Sequence, residues 1–431
     1  MTFRIFRDVL PAGLSVVTLE TKHLHSAMAA VYVRVGSRHE TAKTNGVSHV
    51  LEHLFFRGSK RYPDSVRMNA AVEAVGGNLN GVTMRDSSYF YTPVHPDGVD
   101  VAMRILGDML TQPRLVQLET EKRVILEEML DEVDEKGRDI DVDNLAKRHL
   151  YGDHPLSFKI AGTTETVKAL TMREVKKHFE QFYVTGNLVV AVGGPVKRDE
   201  VLERVQRSFA ALPRGPRVQE LAPSPLTKPG PTLSYVHLDE SQVEFRVTFP
   251  AFAESHPDHM ALGLLRRVLD DGLSSRLPHR IVEKRGLAYS IGATLESFHD
   301  TGTFDIDGAC APEHLGPVVE ECLRTLATLR AGKITREELT RAQTRYAMHL
   351  DFLQDSPGDL CGWFGGTELF RPAETFANRA AAAKAVSVKD LQRVARDVLK
   401  HTSMHCIAVG PRSARKSMQK VCDRAARLLR S

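Results

Sequence analysis

The feature that most constrains the fold of this 431-residue chain is a proline tract near its midpoint. Pro213, Pro216, Pro223, Pro225, Pro229 and Pro231 fall between Leu212 and Pro231. Proline lacks a backbone donor and resists ladder pairing, so this stretch, 213–231, is expected to be a semi-rigid linker. It separates two parts of nearly equal length, 1–212 and 232–431, each long enough for its own core. Strand-like stretches open both: Leu14 to Thr18 and Met28 to Val35 in the first, Leu233 to Val236 and Val243 to Phe249 in the second. Helix-periodic segments follow, among them Val66 to Val75, Val99 to Leu110, Val167 to Phe182 and Pro312 to Arg330. A late strand comes toward the end of each, Leu188 to Val192 and His405 to Val409. The expectation is an α+β chain of two homologous domains arising by duplication, each a mainly antiparallel sheet with helices packed on one face.

The first part contains His49-Val-Leu-Glu52-His53. Residues four apart share one face of a helix, so His49 and His53 can grip one zinc ion. Glu52 places a carboxylate beside the metal, where it can take a proton from a water that the metal has acidified. The pattern is H-x-x-E-H, the inverted spelling of a zinc-peptidase motif. Val50, Leu51, Leu54 and Phe55 are apolar, so this helix is packed, and buried histidine and glutamate need partners that a metal can supply. The chain has 18 histidines, and the same five residues also suit a surface helix with two solvated imidazoles. A later acidic helix, Glu119 to Glu135, bears on that choice. Glu121 and Glu128 are seven apart and share a face. A catalytic zinc takes three protein ligands and keeps one open position. Glu128 would be the third ligand and Glu121 its same-face neighbour. The alternative is a solvated acidic face paired with lysines and arginines.

Together these residues resemble the pitrilysin/insulinase family of zinc peptidases, in its half-length type similar to the mitochondrial processing peptidase. Here 67 residues separate His53 from Glu121, and six separate Glu121 from Glu128, which is similar to the family spacing. The resemblance implies that His49, His53 and Glu128 bind Zn2+, that Glu52 is the general base, and that Glu121 supports catalysis. Gly76-Gly-Asn-Leu-Asn80-Gly81-Val-Thr83 is similar to the family segment whose strand edge pairs with an extended substrate, which makes Asn80 and Gly81 candidate substrate-binding residues. Gly81 stands where alanine is usual. Gly272 to Leu277, Glu283 to Ser290 and Asp300 to Phe304 resemble the family's second-half signature. That signature gives Tyr289 a role at the developing oxyanion. Many members carry an arginine seven residues before this tyrosine; here the position is Val282. The signature from Arg276 to Tyr289 is expected to occupy the place in the second half that the H-x-x-E-H helix occupies in the first.

The implied activity is zinc-dependent hydrolysis of unstructured peptides in a dimer chamber, by a homodimer or by a heterodimer with a sister subunit. The alternative is a catalytically silent structural or substrate-holding subunit of a heterodimer. A net charge of +4 without a concentrated basic stripe argues against nucleic acid. No run of eighteen apolar residues exists, so no membrane span is expected. The stretch from Met1 to Pro11 has scattered charges and does not read as a signal peptide. The five cysteines all lie in the second half without C-x-x-C spacing, which fits a reducing compartment and buried thiols. The expected location is the bacterial cytoplasm, with the mitochondrial matrix as the alternative. A C-terminal helix over Arg415 to Arg430 should pack by Met418, Val421, Cys422, Ala425 and Leu429. Gly362 to Gly366 is expected to be a helix break packed by Trp363.

Overall fold

The computed structural model describes residues 3–219 and 229–429. In chain order the strands are β1 (Arg4–Val9), β2 (Ser15–Glu20), β3 (Ala27–Val33), β4 (Asn80–Thr83), β5 (Ser88–Val94), β6 (Leu188–Gly194), β7 (Thr232–His237), β8 (Val243–Ala251), β9 (Ser290–Ser297), β10 (Gly302–Cys310) and β11 (His405–Gly410). The helices are α1 (Val47–Phe55), α2 (Ser65–Glu73), α3 (Val99–Thr111), α4 (Leu118–Glu128), α5 (Val142–Tyr151), α6 (Thr164–Ala169), α7 (Met172–Phe182) and α8 (Arg198–Ser208). They continue with α9 (His259–Leu269), α10 (Leu315–Arg330), α11 (Arg336–Phe352), α12 (Pro357–Cys361), α13 (Phe376–Ala385), α14 (Val388–Val398) and α15 (Arg412–Leu428).

Two compact units result. One comprises Met1–Leu130, Phe158–Leu221 and Asp351–Glu374; the other comprises Asp131–Ser157, Ala222–Leu350 and Thr375–Ser431. Two segments therefore belong to the unit of the other sequence half: 131–157 and 351–374. Pro223 and Pro225 of the proline tract lie outside the described residues, as does Arg430.

The first sheet has the order β1-β2-β6-β3-β5-β4, and the second β7-β11-β8-β10-β9. Strand β1 aside, the two orders correspond one to one. In both, the early strand pairs in parallel with the late one, β2 with β6 and β7 with β11, and every other pairing is antiparallel. Such a repeated topology is what duplication of an α+β unit gives. Residue alternation drives it. Ser88, Phe90, Thr92 and Val94 of β5 are buried, while Tyr89, Tyr91 and Pro93 are half-buried. Strand β6, central in its sheet, is buried along its whole length.

The main helical layer covers one face of each sheet. In the first unit Val190 and Val192 of β6 join the core formed with α1, α3, α7 and α8. In the second, Val243, Phe245, Val247 and Phe249 of β8 join the core formed with α9, α10, α14 and α15. The segments 131–157 and 351–374 lie on the opposite faces. A Cβ on Gly365 would come within 2.5 Å of Ala191 Cβ, and Gly193 faces Cys361 in the same way, so glycine allows helix and sheet to approach closely. On the second sheet, α5 brings Lys147, 0% exposed, into an ion pair with Glu296 and within 3.0 Å of the Thr303 hydroxyl. Asp143 of α5 pairs with Arg246 of β8, which also pairs with Asp307 of β10.

Several sequence expectations are corrected locally. Val167 to Phe182 is two helices, because Thr171 caps α7 through a reciprocal box with Glu174 and so begins a new helix. Gly362–Gly366 is a π-helical continuation of α12 rather than a break, and its buried side chain is Phe364, with Gly365 buried beside it, not Trp363. The acidic helix ends at Glu128, followed by a 3-10 turn over Met129–Glu132. Segment 276–289 follows α9 and so takes the place of α2; the counterpart of α1 is α9. The C-terminal stripe packs as expected, with Met418, Val421, Cys422, Ala425 and Leu429 all buried. All five cysteines are free and buried. Among the described residues no helix is long and apolar enough to cross a membrane.

Candidate metal centre

Helix α1 is set by its apolar side. Val50, Leu51, Leu54 and Phe55 are buried in the core of the first unit, which leaves His49, Glu52 and His53 on the opposite face. Its start is clamped. Glu40, a buried carboxylate, accepts from Gly46 N at 2.7 Å, Ser48 N at 2.8 Å and Asn45 Nδ2 at 2.8 Å. An anion that accepts helix-start N–H groups satisfies donors that would otherwise be orphaned. Burial pushes the Glu40 carboxyl up, against the opposing pull of those hydrogen bonds. Gly46 has φ of 94°, and a Cβ there would meet the Ala161 carbonyl oxygen at 2.7 Å, so glycine is required at this entry. On the next turn, Ser48 Oγ lies 3.0 Å from His178 Nε2.

Helix α4 supplies both glutamates, and their seven-residue spacing gives each a separate nitrogen of one imidazole. Glu121 Oε2 lies 3.2 Å from His53 Nδ1, and Glu128 Oε2 lies 3.5 Å from His53 Nε2. His49 Nε2 is 4.0 Å from the same Glu128 oxygen. Donor atoms of His49, His53 and Glu128 all lie within 4.8 Å of one another. A zinc ion holding nitrogen and oxygen ligands about 2.0–2.1 Å away in a tetrahedron sets them about 3.4 Å apart. The cluster fits that spacing with small side-chain adjustments, and Glu128, 49% exposed, is free to make them. Burial first, then His53, pulls the His49 imidazole down to about 4, so its lone pair is available at neutral pH.

The surrounding contacts fix the functional groups. Arg57 ion-pairs with Glu121 Oε1, which leaves Oε2 for His53. An oriented carboxylate on the far ring nitrogen fixes the tautomer of a metal-binding histidine. The Thr83 hydroxyl donates to Glu52 Oε2 at 2.5 Å, leaving Oε1 unengaged by that bond. Burial raises the Glu52 carboxyl, with Thr83 opposing it. Arg57, Thr83 and Glu40 were not singled out from the sequence as site residues. Thr83 lies in the segment from Gly76 to Thr83, and Arg57 just past the end of α1. Glu40 gave no local signal, because its partners depend on a folded loop.

Among the described residues strand β4 ends its sheet and pairs with β5 alone: Asn80 with Tyr91, Gly81 with Phe90, Val82 with Tyr89 and Thr83 with Ser88. Beside it opens a cleft of about 390 Å³ lined by Glu52, His53, Arg57, Asn80, Gly81 and Glu121, among others. A Cβ on Gly81 would sit 3.0 Å from the Phe56 ring and 3.1 Å from Glu52 Cγ. The glycine thus leaves room for Glu52 and for Phe56. Tyr289 is in the second unit, 92% exposed, just before β9. Val282 packs against the apolar core of that unit.

Comparisons with known proteins agree with this architecture. A family model described as Insulinase (Peptidase family M16) matches residues 15–164, and one described as Peptidase M16 inactive domain matches residues 169–346. An uncharacterized zinc protease of Streptomyces coelicolor is 30% identical over 401 residues, covering 91% of this chain and 87% of its own. The mitochondrial-processing peptidase subunit beta of Dictyostelium discoideum is 27% identical, covering 93% of this chain and 88% of its own. A Helicobacter pylori protease of known structure superposes with a TM-score of 0.86 at 22% identity, over 95% of this chain and 100% of its own. The chain belongs to the insulinase family of peptidases, M16.

Proposed function

We propose that the protein is a zinc-dependent peptidase whose metal is held by His49, His53 and Glu128. The convergence of those three donors supports this reading most directly. Bound there, zinc would polarise a scissile carbonyl and acidify an adjacent water. Glu52 accepts the water's proton, with Thr83 holding its other oxygen, and then delivers the proton to the departing nitrogen. Burial raises the proton affinity of Glu52, which suits a base working near neutral pH. Glu121, anchored by Arg57, holds His53 through Nδ1. An extended peptide adds to the free edge of β4 at Asn80 and Gly81 and is read through backbone groups, so unstructured peptides are the substrate class. The role of Tyr289 at the oxyanion rests on its family motif, and Tyr289→Phe tests it by a loss in kcat.

Likeness to a processing-peptidase subunit supports a dimer, either of two copies or with a sister chain that carries an arginine where Val282 stands. Five buried thiols support a reducing compartment such as the bacterial cytoplasm. The test is Glu52→Gln, assayed by peptide cleavage and by zinc content. Cleavage should fall about 10²–10⁴-fold with zinc content retained, as expected for loss of a general base. Unchanged turnover would eliminate Glu52 as the base.

A further inference from the structure

The second unit keeps a cleft where the first has its metal site, and the chemistry of that cleft is inverted. Helix α9 lies between β8 and β9 as α1 lies between β3 and β4. Its buried Leu264, Leu265, Val268 and Leu269 repeat the spacing of Val50, Leu51, Leu54 and Phe55. On that alignment Gly263, Arg266 and Arg267 stand in the places of His49, Glu52 and His53. Helix α11 follows α10 as α4 follows α3, and it brings Tyr346 where α4 brings carboxylates. The cleft has not been filled: about 370 Å³ remains, lined by Gly263, Arg266, Arg267, Tyr346 and Arg379, among others. A Cβ added at Gly263 would meet no atom within 4 Å.

Two arginines of α9 line this cleft, and the aspartates beside them are shared with other donors. Arg267 donates to both oxygens of Asp271, at 3.1 and 3.0 Å, but Arg345 also donates to Asp271, at 2.9 Å. Asp270 spends Oδ2 on the Ala293 N–H at 2.9 Å. Arg266 Nη1 donates to the Asp270 carbonyl at 2.7 Å, and among the described residues Arg266 forms no carboxylate ion pair. Burial and then the neighbouring Arg267 depress the proton affinity of Arg266, against the opposing pull of Asp271 and Asp270. Arg379 Nε donates to the Tyr346 hydroxyl at 3.2 Å, which places a third guanidinium at the same cleft. A half-buried guanidinium that spends one nitrogen on a backbone carbonyl keeps other donors for an anion, and planar guanidinium groups bind carboxylate or phosphate oxygens in pairs.

We propose that this cleft of the second unit is an oxyanion-binding site for a ligand bearing a carboxylate or a phosphate group, with Arg266 as its principal contact. The proposal stands apart from the metal site, since no ligand or base residue takes part in it. It is tested by calorimetric titration of the full chain with inorganic phosphate and, separately, with succinate, at ionic strength matched with sodium chloride. At least one anion should bind saturably with a dissociation constant of about 5 mM or tighter, and the stronger of the two arms identifies the ligand class. Arg266→Gln should weaken that binding tenfold or more while leaving zinc content unchanged. Gly263→Leu should abolish it by filling the cleft, and it removes a helix-interior glycine, so the fold is retained. If neither anion saturates by about 50 mM, or if either folded variant titrates like the parent, the proposal is overturned.

Discussion

The two units share one topology and differ in what their corresponding helices present to the cleft beside the sheet edge. In the first unit, α1 and α4 bring two imidazoles and three carboxylates together. In the second, α9 brings two guanidinium groups and a glycine, and α11 a tyrosine. The apolar faces that dock α1 and α9 are alike, because both sheets ask for the same packing. The exposed faces answer to chemistry and have diverged. A duplicated fold can therefore keep its scaffold through the buried positions while a few outward positions decide whether a unit holds a cation or an anion.

The largest effect expected from breaking this contrast comes from Glu128→Gln. It removes the only carboxylate in the three-donor cluster among the described residues, and zinc affinity, measured by chelator competition, should fall by more than the roughly 100-fold typical of a supporting contact. Next in size is Lys147→Met in the second unit. It leaves Glu296 without its buried cation, and chemical denaturation should show a loss of about 3–5 kcal/mol. Zinc affinity should stay unchanged, because that charge cluster serves packing in one unit and not metal binding in the other.

A smaller effect follows from pH, and both units contribute. Burial pulls His178 of the first unit down to about 3 and His405 of the second to about 4. Both are neutral when folded, and both take up a proton on unfolding below the ordinary imidazole value of about 6.5. Their contribution to stability is complete above that value. It is lost as pH falls, at up to about 1.4 kcal/mol per pH unit for each histidine, until the folded value is passed. Urea midpoints measured between pH 7 and 5 check this slope, and His405→Gln should reduce it. The smallest effect is Gly81→Ala. The added methyl would crowd Phe56 and Glu52, for a stability loss of about 1 kcal/mol by thermal melting and a rise in KM.

The three-donor cluster was legible in part because helical spacing brings His49 and His53 to one face, and a seven-residue spacing does the same for Glu121 and Glu128. Strand β6 was legible from its apolar run and β8 from its alternation of apolar and polar residues. The duplication was visible in the order of elements, but its alignment was not. The second-half signature lies after α9, and nothing in the spacing of Arg266 and Arg267 marks them as lining a cleft. Segments 131–157 and 351–374 were assigned to their own halves, since proximity in sequence says nothing about which sheet face a helix will cover. Glu40 and Arg57 escaped notice because their partners are set by loop geometry and by another helix.

The central claim is tested most directly by anomalous diffraction at the zinc edge from crystals of zinc-loaded protein. The account predicts one peak per chain, about 2.0–2.2 Å from His49 Nε2, His53 Nε2 and a Glu128 oxygen, and none beside Arg266. A zinc peak elsewhere, or a Glu128 side chain turned away from an imidazole-bound ion, would contradict it.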